Sequence, residues 1–144
     1  MTQEDKQLLL VDLCARLPYG VKIRMIHHEI KGADPEYVDD VFSTTYYNMI
    51  DYDDDNYEFL PYLRPMSSMT EEEKSEFINY ACYEVEESVN GRHYEYYLKD
   101  FVGTKEEPIA NVDAIDWLNK NMFDYRGLIP KGLALEAPEG MYKS

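Results

Sequence analysis

Several things are scarce in this chain, and each shortage narrows what it can be. It has two cysteines, Cys14 and Cys82, far apart and outside any C-x-x-C pair. That disfavours a disulfide scaffold or a thiolate metal site, and both thiols are expected reduced and buried on helix faces. No apolar run approaches the ~20 residues that span a bilayer. The opening residues, Met1 to Lys6, lack the apolar stretch of a secretory leader. A soluble, cytoplasmic protein without membrane contact is the expectation.

Positive charge is the other shortage. Fourteen Lys and Arg face twenty-nine Asp and Glu, a net of −15. The imbalance is uneven along the chain. Residues 1–31 carry a net of +1, residues 32–63 have nine acidic and no basic side chains, and residues 64–144 have sixteen against nine. Such a chain cannot neutralise phosphates, so direct binding to nucleic acid or to anionic membranes is not expected. Catalytic signatures are missing too: no G-x-S-x-G, P-loop, H-E-x-x-H or G-x-G-x-x-G occurs. The sequence assigns no catalytic, cofactor-binding or metal residue, and no cofactor is expected.

What remains suits one domain, 1–144, with an apolar content of 44%. Thr2 can cap a first helix to Leu17, with Leu9, Leu10, Leu13, Cys14 and Leu17 on one stripe. Pro18 and Gly20 end it. Val21, Ile23 and Met25 then alternate with Lys22 and Arg24, the period of a half-buried strand. After the turn Gly32-Ala33-Asp34-Pro35, residues 36–50 are rich in Val, Phe, Thr and Tyr and read as a second strand. Asp53 to Asn56 forms another turn, and Tyr57 to Leu60 a short last strand. Pro61 to Phe77 follows as a stiff connector. Pro61 and Pro65 restrict their neighbours, and Thr70-Glu71-Glu72-Glu73 is a capping box.

The helix opened at Thr70 carries Phe77, Ile78, Ala81, Cys82, Val85 and Val89 at helical spacing. It runs to Gly91, or it stops near Cys82 with Asn90-Gly91 turning a hairpin over 83–98. Asp113 can cap a further helix holding Ile115, Trp117, Leu118 and Met122. Trp117 should be buried, packed with Leu118 and Met122 against the sheet or the first helix. In the tail, Gly127 suits a position of positive φ. The fold class is α+β: an N-terminal helix, a small antiparallel, barrel-like sheet of three to four strands, then packed helices.

Candidate chemistry is thin. Asp51, Asp53 and Asp55 have the alternate spacing that opens a calcium loop, but Asn56 and Tyr62 stand where glycine and glutamate are needed. His27 and His28 point to opposite faces of a strand, so with His93 they form no ready metal set. Fourteen tyrosines, many beside carboxylates, make a binding surface plausible, because tyrosine offers large contact area at low entropy cost. Tyr62, Arg64, Tyr125 and Arg126 are the candidate contact residues, with an internal Arg126–carboxylate brace as the alternative.

Three blocks look familiar: DLCARLPYGVK (Asp12–Lys22), PYLRPMSSMTEEE (Pro61–Glu73) and IDWLNKNMFDYRGLIPKGLALEAPEGMY (Ile115–Tyr142). They resemble those of a family of small uncharacterised proteins from gut bacteria of the Bacteroidetes group, their phages and mobile elements. The resemblance implies an intracellular accessory protein and transfers no catalytic residue. The leading expectation is a non-enzymatic module binding an unknown protein partner. The alternatives are an acidic mimic of nucleic acid that blocks a DNA- or RNA-binding protein, and a small enzyme with a site built from scattered residues.

Overall fold

The computed structural model describes residues 1–28, 34–52, 56–81 and 112–142, the side chains of 78–81 and 112 excepted. Asp53 and Asp55 of the acidic loop, Cys82, His93 and the helix-or-hairpin stretch 83–98 lie outside the described residues.

Helix α1 spans Gln3–Arg16, and the Thr2 hydroxyl accepts the Asp5 amide at 3.0 Å as its cap. Its buried stripe is Lys6, Leu9, Leu10, Leu13 and Arg16, with Asp12 beside it. Cys14 sits about 100° round from Leu13 and is exposed, contrary to expectation. Gly20 adopts φ +74° and turns the chain into β1, Lys22–His27. Strand β2 is only Glu36–Val41, and residues 44–52 form a second helix, α2. The long strand expected over residues 36–50 is thus corrected. Within α2, Tyr46, Met49 and Ile50 stand at i, i+3 and i+4 and turn one face to the core, so helical packing outweighs strand propensity here. Lys6 anchors α2 by donating its Nζ to the Asp51 carbonyl at 2.8 Å, where the helix dipole is negative.

Strand β3 is Tyr57–Leu63, longer than expected, and takes in the first residues of the presumed connector. The sheet order is β2-β1-β3-β4, with β4 at Leu135–Glu136. β2 and β3 pair antiparallel to β1, while β4 runs parallel to β3. The sheet is therefore mixed and open, not an antiparallel barrel. Closure would need β2 to meet β4, and these lie at opposite edges. His28 donates its amide to the Asn56 carbonyl at 2.7 Å, which fixes the ladder parity between β1 and β3. By that parity Pro61, opposite Ile23, points its nitrogen away from β1, so the ladder loses no bond to it.

Helix α3, Glu71–Ala81, starts with the expected box: the Thr70 amide donates to Glu73 Oε1 at 2.9 Å and the Glu73 amide to the Thr70 hydroxyl at 3.2 Å. Replacing Thr70 with alanine should lower stability by about 1 kcal/mol, read as a shift of the urea midpoint. Helix α4 spans Val112–Lys120, so Asp113 lies in its first turn and is not its cap. α4 ends in a Schellman motif. Phe123 donates to the Leu118 carbonyl, Met122 donates to that of Asn119, and Met122 takes φ +63°. That reversal aims consecutive side chains at two cores. Met122 joins Leu9, Leu13, Ile23, Phe59 and Leu63. Phe123 joins Met69, Phe77, Trp117 and Leu118 in the second. Trp117 is buried as expected, and its ring lies between those of Phe77 and Phe123, in a different cluster from Met122.

The tail threads both cores. Arg64 and residues 122–124 exchange backbone bonds, and Ala137 donates to the Leu63 carbonyl at 2.7 Å. Gly127 has the expected positive φ, +74°. At the end of the described chain the Tyr142 hydroxyl sits between β1 and β3. It accepts the Lys22 amide at 3.0 Å and donates to the Tyr62 carbonyl at 2.7 Å. These two groups would otherwise bond each other, so Tyr142 wedges the ladder open and completes it through its oxygen.

That wedge yields a prediction. Burial pushes the Tyr142 phenol up to about 12 from an ordinary value of 10. A raised pKa stabilises the fold in full below pH 10 and loses that stabilisation as pH climbs through 12. Two units correspond to at most about 2–3 kcal/mol. Tyr142→Phe should cost about 2 kcal/mol at neutral pH, from the two unpaired backbone groups. It should also flatten the alkaline loss of stability, measured by denaturant melts at successive pH values.

Candidate protein-binding edge

The four residues singled out in the sequence lie in the interior of the fold or are paired across it. Tyr62 and Tyr125 are buried. The Arg64 guanidinium holds Glu73 with two bonds of 2.7 Å and lies 4.1 Å from the Phe123 ring centre. Burial pushes the Glu73 carboxyl up, yet the bonds from Arg64 and the Thr70 amide outweigh it and hold it below its usual range. Arg126 reaches Asp12 at 2.8 Å and stacks on Tyr125, so the intramolecular brace is what its side chain makes. Asp12 also receives Arg16 Nε at 2.9 Å and Nη2 at 3.0 Å, and both side chains are fully buried. A surface using Arg64 or Arg126 would have to open these pairs.

Several clefts among the described residues offer room for a small molecule. One of about 480 Å³ opens between the start of α1, α2, β3 and residues 131–133, and contains Asp5, His28, Glu58 and Lys131. His28 and Glu58 approach to 3.3 Å but are each about half exposed, so water screens their attraction. A second cleft of about 690 Å³ lies beside Arg64 and Glu73, whose charges already satisfy each other. Among the described residues no three His, Cys, Asp or Glu side chains gather as a metal site.

The feature that stands out is β2. All six of its residues are exposed, including Tyr37 at 59%, Val38 at 54% and Val41 at 47%. It lies at one margin of the sheet, and among the described residues no strand covers its outer side. Phe42 donates its amide to the Val21 carbonyl at 2.8 Å, which sets the parity of the β1–β2 ladder. Glu36, Val38 and Asp40 therefore turn their backbone groups to β1, and Tyr37, Asp39 and Val41 turn theirs outward.

Neighbours hold the strand firmly. Asp39 Oδ1 accepts from Arg24 Nε at 3.2 Å and from the Tyr62 hydroxyl at 2.8 Å. Arg24 in turn lies 4.0 Å from the centre of the Tyr37 ring. On the other face, Asp40 accepts from the Tyr46 hydroxyl and from the Val41 amide. Those two bonds, that of Tyr46 first, keep its carboxyl below the usual range. The result is a rigid strand with an open margin, flanked by a tyrosine and two valines. Sequence reasoning placed β2 in a longer strand and missed its exposure. The available signal was length, since fifteen residues far exceed a usual strand.

Comparison with protein-family models, with curated proteins and with solved structures yields no match for this chain.

Proposed function

We propose that this chain is a non-enzymatic protein-binding module that takes an extended segment of its partner onto the free margin of β2. The observation that carries this reading is the exposure of β2 on both faces and along its outer side. Unpaired strand edges template the addition of another strand, and main-chain bonds supply affinity when a peptide adds to a sheet. Asp39, Asp40, Arg24 and Tyr46 pre-order the strand, which lowers the entropy lost on binding.

Tyr37→Pro tests the reading. The Tyr37 amide points outward, so proline removes a donor to the partner without removing a bond to β1. Affinity capture from the native host with wild type and variant should show a protein lost from the variant, while stability falls by no more than the Arg24–Tyr37 ring contact is worth, about 0.5–1 kcal/mol. Equal recovery of every captured protein would overturn it.

A nucleic-acid mimic is the second reading, favoured by the acidic run over residues 32–63. Its other acidic cluster begins in α3, and β1 and β3 lie between β2 and β4. Three strand spacings are roughly 14 Å, and alternate side chains on one strand are roughly 6.6 Å apart. Duplex DNA carries a charge every ~1.7 Å, so β2 alone reproduces that density poorly. Displacement of a captured partner by DNA, with steep weakening in salt, would favour mimicry over strand addition.

A further inference from the structure

The margin of β2 is chemically asymmetric. On one face stand Glu36, Val38 and Asp40, and on the other Tyr37, Asp39 and Val41. Asp39 is already matched by Arg24, so its face presents tyrosine and valine with a neutralised centre. Glu36 has no partner among the described residues, and Asp40 takes only neutral donors, the Tyr46 hydroxyl and the Val41 amide. That face keeps its negative charge. The backbone is limited as well. The Val41 amide is held by Asp40 Oδ1 at 2.7 Å, which leaves Tyr37 and Asp39 as the outward donors.

Resting on the binding-module reading, we infer that the segment added to β2 is a short cationic strand. In it Lys or Arg alternates with apolar residues. Its cations lie on the side of Glu36 and Asp40, and its apolar side chains on the side of Tyr37 and Val41. Opposite charges directly across a strand pair stabilise it, and like charges destabilise it. The same rule argues against a second copy of this chain. Antiparallel self-pairing that joins Tyr37 to Asp39 sets Glu36 opposite Asp40. Self-pairing that joins Asp39 to Asp39 sets two aspartates opposite each other. In these registers the carboxylates oppose homotypic pairing while admitting a basic strand, and the Asp40–Val41 bond caps the length that can be added.

The test uses the full chain and two short blocked peptides, one alternating lysine with valine and one alternating glutamate with valine. Binding is read by fluorescence anisotropy, and amide hydrogen exchange at Tyr37 and Asp39 by NMR. The lysine peptide should bind and slow exchange at these two amides, and the glutamate peptide should do neither. Tyr37→Pro and Glu36→Lys should each weaken the lysine peptide about tenfold, as expected for one lost hydrogen bond or charge contact, with Glu36→Lys melting as the wild type does and Tyr37→Pro still folded despite its lost ring contact with Arg24. If both peptides bind and protect Tyr37 and Asp39 equally, strand addition stands and the charge inference is overturned. If the lysine peptide binds without protecting those amides, or binds Tyr37→Pro equally well, the net charge alone attracts it and strand addition fails with it. Absence of binding overturns the inference. So does a concentration-dependent dimer abolished by Tyr37→Pro, which would make a second copy the occupant.

Discussion

Replacing Asp12 with alanine is expected to destabilise the protein by about 3–5 kcal/mol, the range for breaking a buried ion pair from one side. Asp12 and Arg16 are fully buried, one helical turn apart on α1. Asp12 accepts three bonds, two from Arg16 and one from Arg126. Without it the Arg16 guanidinium keeps, among the described residues, only the Phe123 carbonyl as an acceptor, at 2.7 Å, and its Nη1 has no hydrogen-bond partner there. A charge left so poorly paired in the interior costs several times a surface contact. Arg126 would release the tail at the same time, so the loss should be larger than that of Arg126→Ala, whose side chain is partly exposed. Urea denaturation of both variants checks this. A change below about 1 kcal/mol for Asp12→Ala would mean that the site repacks or hydrates.

The second large effect is at Trp117. Alanine there should cost about 3–5 kcal/mol, because the indole fills the space between Phe77 and Phe123. Their ring centres lie 5.5 and 5.6 Å away. Among the described residues the buried indole N–H has no hydrogen-bond partner, so Trp117→Phe should cost markedly less: it gives up ring area but also removes an unmet donor. Tryptophan emission from the wild type should report an apolar site, and emission typical of a solvated indole would refute burial. Equal losses for the alanine and phenylalanine variants would show that the N–H finds a partner.

Signals that act over a few residues were legible in the sequence. Thr2 with Asp5, Thr70 with Glu73, and the alternation of Val21, Ile23 and Met25 fix their elements through bonds or periods of four residues or fewer. Gly127 is similar, since its φ is a property of one residue. Features set by distant partners were not legible. Asp12 and Arg126 are 114 residues apart, and Lys22 and Tyr142 are 120 apart. No local pattern announces those meetings. Pro61 reads as a breaker until strand parity shows its nitrogen pointing away from β1. Strand propensity over residues 44–50 lost to the helical spacing of Tyr46, Met49 and Ile50, because burial decides such ties. The three blocks quoted from the sequence do converge. Asp12 and Arg16 come from the first, Arg64 and Glu73 from the second, and Phe123 and Arg126 from the third. That convergence explains what those blocks do for stability. The margin of β2 proposed to bind a partner lies outside all three.

Residue-resolved amide hydrogen exchange along β2 of the free protein tests the central claim most directly. An uncovered sheet margin must alternate. The outward amides of Tyr37 and Asp39 should exchange near the rate of an unprotected chain, and the inward amides of Val38, Asp40 and Phe42 should be slower by orders of magnitude. Protection of Tyr37 and Asp39 equal to that of their neighbours would show that another part of the protein covers the margin, and would contradict strand addition there.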